Sequence, residues 1–113
     1  MKQHHYLLFG SILLLVAGCG SSSASSSPPK GHALAGAHLF VTQRCVRCHM
    51  VNGVGGNEGP ELTHDPIATN YGQLKAWLAN PPPQMAYVKK LHLTPQQIAD
   101  ISAFAGSDKK PKR

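Results

Sequence analysis

The feature that most constrains this chain is a pair of cysteines, Cys45 and Cys48, separated by two residues and followed directly by His49. The pair lies in a short sequence. Of the 113 residues, 1–30 resemble targeting and linker sequence, which leaves roughly 75 for a folded domain. A protein core of that size is marginally stable unless another group completes it. We therefore expect one small domain whose core contains something other than peptide.

Four kinds of site use two cysteines at this spacing. A thioredoxin-like dithiol needs a larger α/β fold of about a hundred residues. A structural zinc site needs a second ligand pair, and the only other cysteine, Cys19, lies in a different setting. A disulfide across two residues is strained. In covalent haem attachment, each thiol adds to one vinyl group and the following histidine binds the iron, so the pattern favours one haem c on Cys45, Cys48 and His49.

The first residues have the zones of an export signal. A short polar start precedes an apolar run from Leu7 to Ala17, and small residues follow it. The run of about a dozen residues is too short to span a bilayer, which needs about 20. We interpret residues 1–18 as a signal peptide that sends the domain out of the cytoplasm.

The end of this signal suggests a lipid anchor. Val16-Ala17-Gly18-Cys19 resembles the bacterial lipobox, which implies that Cys19 is acylated and becomes the mature N-terminus. An ordinary secretory peptide is the alternative. Residues 19–31 are rich in Ser and Pro with no apolar periodicity, so we expect a flexible tether. The predicted location is the extracytoplasmic side of a bacterial cell membrane, with the lipid as the membrane contact.

Three segments have helical apolar spacing. They are Ala33–Gln43, with Leu34, Ala37, Phe40 and Val41; Tyr71–Asn80, with Leu74, Trp77 and Leu78; and a last helix from the N-cap Thr94 to Ala105. Thr94 and Gln97 predict a capping box at the start of the last helix. We expect a glycine-rich loop over residues 50–60, an irregular segment around Met85 and a frayed tail from Ser107 to Arg113.

Further motifs accompany these segments. They are Gly36-Ala37-His38-Leu39-Phe40, Cys45–His49, Gly53-x-Gly55-Gly56, Gly59-Pro60-x-Leu62-Thr63, Leu74-x-x-Trp77-Leu78-x-Asn80-Pro81, Met85 and the Leu93–Ala105 helix. Together they resemble a class I cytochrome c, most closely the small monohaem domains of bacterial respiratory chains. The resemblance implies an all-α fold of three to four short helices around one covalent haem, with the domain at 32–107 and a basic tail at 108–113.

The resemblance also implies roles for individual residues. Gly36 and Phe40 match the positions at which the first helix crosses the last. The carbonyl of Pro60 would accept a hydrogen bond from His49 and orient it, although a simple turn proline is the alternative. Trp77 and Tyr71 compete as hydrogen-bond donors to a haem propionate.

The sixth iron ligand decides what the iron can do. Met85 matches the methionine ligand of the family, although Ala86 stands where many relatives have proline. His92 and His64 are the alternatives. Thioether ligation raises the reduction potential relative to two histidines. We therefore expect a reversible one-electron carrier of moderately positive potential.

These features lead to a functional expectation. The protein would be a monomeric, membrane-anchored carrier, not an enzyme, that passes single electrons from a quinol-oxidising complex or dehydrogenase to a terminal oxidase. A haem peroxidase or small-ligand sensor with an open distal site is the alternative. The formal charge of +6 falls to +5 without Lys2 and suits an acidic redox partner. Nucleic acid is a poor fit because the chain is exported and much of its basic excess lies in the tail.

Overall fold

The computed structural model describes Gly18 and residues 27–112. The rest of the predicted signal peptide, the acylation site at Cys19 and most of the tether lie outside the described residues. The elements in chain order are helix α1 (Ala33–Thr42), a 3₁₀ turn (Cys45–Arg47), strands β1 (Met50–Val51) and β2 (Val54–Gly55), helix α2 (Tyr71–Ala79), a 3₁₀ helix (Pro83–Leu91) and helix α3 (Pro95–Ala105). This confirms the predicted all-α class. No helix of the described residues is long and apolar enough to cross a membrane.

The core begins where α1 crosses α3. Gly36 lies directly on the backbone of Asp100, and a Cβ there would clash with the Asp100 carbonyl oxygen. One helical turn further along α1, the rings of Phe40 and Phe104 lie with their centroids 5.3 Å apart and tilted by 56°. Both rings are almost wholly buried. The predicted crossing at Gly36 and Phe40 is therefore confirmed.

One part of the predicted apolar face of α1 is wrong. Leu34 is 60% exposed, whereas Gly36, Ala37 and Phe40 are buried. Leu34 precedes Phe40 by six residues, which places it about 120° around the helix from the phenylalanine. The crossing with α3 selects the Phe40 side, so Leu34 faces solvent.

A second core cluster joins α2 to α3. Leu74 packs with Ile98 and Ile101, and half-buried neighbours extend the cluster. The capping box of α3 is present: the Thr94 hydroxyl accepts from the Gln97 backbone N–H at 3.2 Å, and the Thr94 backbone N–H donates to the Gln97 side chain at 2.9 Å. It fixes the start of α3, so that Ile98 and Ile101 face α2.

Two segments differ from the expected irregular backbone. Residues 50–55 form a β-hairpin with Val51 opposite Val54, and its turn residues Asn52 and Gly53 have φ values of 50° and 77°. Two positive φ values close the tightest hairpin turns, for which Asn-Gly is the favoured pair. The segment around Met85 is a 3₁₀ helix from Pro83 to Leu91, with proline at its start, where the missing N–H costs no helical hydrogen bond.

Both ends of the domain are held against it. The Asn52 side-chain amide donates to the carbonyls of Ser107 at 2.8 Å and Lys109 at 2.6 Å, and the Lys112 backbone N–H donates to Ala37 at 3.2 Å. The expected frayed tail is therefore wrong for residues 107–112. The last part of the predicted tether, Lys30 and Gly31, also lies against α3: the Lys30 carbonyl accepts from the Gln96 side chain at 2.8 Å, and Gly31 lies on the Ala99 backbone.

Candidate cofactor site

A cavity of about 340 Å³ lies between the two core clusters. Apolar side chains from all three helices and their connections form most of its wall, among them Phe40, Leu62, Leu74, Val88, Leu93 and Ile101. Packed protein interiors leave few voids larger than a water molecule. A cavity of this size and composition is therefore a binding site for a large, mainly apolar group.

Cys45 and Cys48 both line this cavity. Helix α1 ends at Thr42, and the chain then turns at Arg44, whose φ is 65°. The following 3₁₀ turn is closed by the backbone N–H groups of Cys48 and His49, which donate to the Cys45 carbonyl at 3.2 Å and 3.0 Å. This turn brings both thiols and the imidazole to one cavity, as the haem attachment pattern requires.

His49 is buried and lines the same cavity. Its Nδ1 lies 2.8 Å from the carbonyl oxygen of Pro60. Because a carbonyl can only accept, Nδ1 is the donor in this contact, and Nε2 is the ring nitrogen left for a metal. Gly59 lies against the ring, and a Cβ there would be 2.5 Å from the His49 Cε1. The geometry provides an oriented imidazole whose Nε2 can ligate iron.

Cys45 does not have the properties of the nucleophile of a redox dithiol. Burial raises the pKa of the Cys45 thiol from 9.0 to about 11; a backbone hydrogen bond opposes this shift and the neighbouring Cys48 adds to it. Reactive dithiols instead need a lowered pKa, because the thiolate is the nucleophile. Nor do the described residues contain a group of three or more His, Cys, Asp or Glu side chains that could hold a metal ion.

Met85 lines the cavity from the 3₁₀ helix between α2 and α3. The two histidines that compete with it as sixth ligand, His64 and His92, are exposed, and neither lines the cavity. Both have positive φ values, 53° and 48°. The structure thus brings Met85 and His49 to one cavity and leaves the rival histidines outside it. The ligand role of Met85 stays a prediction.

The two aromatic residues proposed as propionate donors lie in different surroundings. Trp77 lines the cavity and is 40% exposed, whereas Tyr71 does not line it. Tyr71 packs beside the Leu74 cluster, and the Lys75 ammonium lies 5.9 Å from its ring centroid. Of these two residues, Trp77 is therefore the one that could reach a group in the cavity, and its role as a propionate donor stays a prediction.

Three further residues of the site were not expected from the sequence. Glu58 lines the cavity, and the Cys48 Sγ donates to its Oε2 at 3.8 Å. Asp65 also lines the cavity. Tyr87 lies at the cavity wall, where burial, and to a smaller extent Cys45 and Cys48, raise the pKa of the Tyr87 phenol. Within the part of the chain that the structure describes, Glu58 and Asp65 are the only Asp, Glu, Lys or Arg side chains that line the cavity. Of the three, Glu58 could have been expected from the sequence, because it lies two residues before Pro60.

An apolar cavity with two thiols and an oriented imidazole in its wall defines a small α-helical domain built to hold a covalently attached porphyrin. The family model for Cytochrome c matches residues 33–107, so the chain belongs to the cytochrome c family and has the class I fold. Its cofactor is haem c, which Cys45, Cys48 and His49 fit as a C-x-x-C-H site. No curated protein and no solved structure matches the chain significantly. Membership of this family indicates electron transfer through haem.

Proposed function

We propose that this protein is a lipid-anchored monohaem electron carrier of a bacterial respiratory chain. It takes single electrons from a quinol-oxidising complex or another dehydrogenase and passes them to a terminal oxidase. The observation that carries the proposal is that His49 and Met85 line the same cavity, and that no other histidine of residues 27–112 lies in its wall.

When bound, haem c supplies an iron that changes its charge by one electron. His49, oriented by its 2.8 Å contact with the Pro60 carbonyl, and Met85 would be the two side chains that hold the iron. The apolar side chains of the cavity exclude water, and the covalent thioethers of Cys45 and Cys48 retain the group through both redox states. An iron with both axial positions filled by protein has no site for a substrate, so the protein acts as a carrier and not as an enzyme.

A peroxidase or ligand sensor is the alternative. Peroxidase chemistry needs a positioned acid or base on the open side of the iron. Among the described residues, no arginine and no histidine other than His49 lines the cavity. The side chains there that accompany Met85 are Gln84 and Tyr87, which do not supply such a pair.

The membrane anchor and the partners rest on sequence and charge. Cys19 follows a lipobox-like run, and the signal before it directs export. Stable anchoring needs more than one acyl chain, and diacylation of Cys19 followed by acylation of its amine would supply them. Exposed basic residues such as Arg47, Lys89 and Lys90 suit an acidic redox partner. We propose a monomer at the extracytoplasmic face of the membrane.

The carrier proposal is tested on the haem-loaded protein extracted from membranes. We expect a reversible one-electron titration and no change in the ferrous spectrum under carbon monoxide at neutral pH. Carbon monoxide binding by the unmodified ferrous protein, together with peroxide turnover, would support the enzyme or sensor class instead.

The anchor is tested separately by the mass of the N-terminal peptide. We expect a diacylglyceryl group on Cys19, and we expect Cys19→Ser to leave the membrane fraction when membranes are washed in 1 M salt, which screens electrostatic binding. An N-terminal peptide without lipid, or a Cys19→Ser protein that stays on the salt-washed membrane, would contradict the anchor and leave the redox function untouched.

A further inference from the structure

We propose that the C-terminal tail, residues 107–112 held along the domain, is a basic surface that rests on anionic lipid headgroups. In this position the surface orients the domain on the membrane. The orientation depends on the proposed lipid anchor, but the affinity of the tail for anionic lipid does not.

The tail is held at three points of the folded domain. The Ser107 hydroxyl donates to the Phe104 carbonyl at 2.8 Å and so continues the end of α3. The Asn52 amide then binds the carbonyls of Ser107 and Lys109, and the Lys112 N–H binds Ala37. The backbone is thus held on the hairpin and on α1, while the tail's charged side chains stay in solvent.

The charge on this surface is strongly positive. Lys109, Lys110 and Lys112 are all exposed, and Asp108 is the only acid among residues 107–112. Three of the five acids of the chain lie instead at Glu58, Glu61 and Asp65, and two of these line the cavity. The basic tail is therefore separate in sequence from the acids Glu58 and Asp65 that line the cofactor cavity.

The tail lies close to the point where the tether enters the domain. Gly31 packs on the carbonyl of Ala99, and the His32 N–H donates to the Asp100 carboxylate at 2.9 Å. Ala37, which holds the tail, follows His32 by five residues, about 8 Å along a helix. An anchor attached through this tether therefore draws the tail towards the lipid.

A membrane fits this surface better than a redox partner. No residue of 102–112 or of the hairpin at 50–55 lines the cavity. A protein that exchanges electrons with the haem must approach the cavity, whereas the tail lies elsewhere on the domain. A membrane-bound tail leaves the cavity free for that protein.

The expected effect follows from the charge. Each lysine near an anionic bilayer strengthens binding about fivefold at moderate salt, so three lysines give on the order of 100-fold. The effect should weaken as salt shortens the Debye length below about 10 Å. Neutral bilayers should show none of it.

The test uses the lipidated, haem-loaded protein on supported bilayers of phosphatidylcholine, with or without phosphatidylserine. Linear dichroism of the haem absorption reports the orientation of the domain. We expect dichroism on the anionic bilayer that 1 M salt removes. Lys109→Gln/Lys110→Gln/Lys112→Gln should abolish it, whereas the charge-matched control Lys75→Gln/Lys89→Gln/Lys90→Gln should not.

A second variant separates the effect of the lysine charges from the effect of the tail's position on the domain. Asn52→Gly keeps the positive φ of the turn and every lysine, but it removes the amide that holds the tail. We expect it to lose the dichroism. Unchanged dichroism in the triple tail variant, or its loss in the control instead, would overturn the proposal. So would a tail variant that keeps its orientation but delivers electrons more slowly to the oxidase, because that outcome assigns the tail to a protein partner.

Failure of the anchor can be recognised independently. If Cys19 carries no lipid, the affinity of the tail for anionic lipid is still tested by binding of the haem-loaded Cys19→Ser protein to phosphatidylserine vesicles in a sedimentation assay. On such vesicles we expect at least tenfold stronger binding than that of the triple tail variant. Equal binding would overturn the proposal for the tail.

Discussion

The Nδ1 of His49 lies 2.8 Å from the carbonyl oxygen of Pro60, and this contact leaves the other ring nitrogen to bind iron. Gly59 makes the contact possible, because the chain passes the imidazole ring too closely for a side chain. The orientation of the ligand therefore depends on two neighbouring residues that never touch the iron.

Gly59→Ala should disturb this ligand. Its Cβ would lie 2.5 Å from the His49 Cε1 and 2.8 Å from Nδ1, so the ring must turn and its bond to Pro60 must lengthen. We expect shifted g values in the electron paramagnetic resonance spectrum of the ferric protein and lower haem occupancy. Gly53→Asn is the control, since asparagine tolerates the positive φ and nothing lies within 4 Å of that site. Identical g values in Gly59→Ala and the parent would contradict the ligand geometry.

Gly36→Ala should destabilise the domain through the crossing of α1 and α3. The added methyl group meets the Asp100 carbonyl, which is backbone and cannot turn away. Overpacking of this kind costs about 1–3 kcal/mol. Gly72→Ala in α2 is the matched control, because its Cβ would meet only Asn70 Oδ1 at 3.5 Å, and it should gain about 0.5 kcal/mol. Urea unfolding of both haem-loaded variants measures the two free energies, and equal midpoints would refute this packing.

Glu58→Gln should raise the reduction potential. The Glu58 carboxylate lies beside Cys48 at the cavity wall, and a nearby negative charge favours the ferric state over the ferrous state. Its loss should raise the potential by on the order of 10–40 mV, since about 59 mV corresponds to a tenfold change for one electron. Glu61→Gln removes the same charge from a residue outside the cavity wall and should shift the potential less. A larger shift of the potential in Glu61→Gln than in Glu58→Gln would contradict the stronger electrostatic effect of Glu58 on the iron.

Loss of haem should unfold the domain. Without haem, the apolar side chains around a cavity of about 340 Å³ lose their packing partner and are open to water. The net stability of a small domain, about 5–15 kcal/mol, leaves little to offset that loss. We expect Cys45→Ala/Cys48→Ala, expressed without haem attachment, to show no cooperative thermal transition by circular dichroism. A transition as sharp as that of the haem-loaded protein would mean that the haem is not part of the core.

The sequence predicted the parts that local patterns determine. The helices, the capping box at Thr94 and the haem attachment turn at Cys45 all follow from spacing within a few residues. The pairing of Gly36 with α3 came from the family resemblance, because no local pattern links residues so far apart in the chain.

The differences arise from long-range contacts and from signals that were not used. Asn52 and Gly53 form a favoured hairpin turn, and that pair was visible in the sequence. The hydrogen bonds from Asn52 to Ser107 and Lys109 span 55 and 57 positions of the chain. Contacts over such a separation have no sequence signature. Tyr71 lies only about 20° around the helix from Leu78, which lines the cavity, so helical spacing alone could not decide between Tyr71 and Trp77.

The most direct test is the pair of single variants Met85→Ala and His92→Ala, compared by absorption spectroscopy. The parent protein should show the long-wavelength sulfur-to-iron charge-transfer band in its ferric form and no carbon monoxide binding in its ferrous form. Met85→Ala should lose the band and bind carbon monoxide, whereas His92→Ala should behave like the parent. A Met85→Ala protein that keeps the band and excludes carbon monoxide would contradict a carrier closed by His49 and Met85.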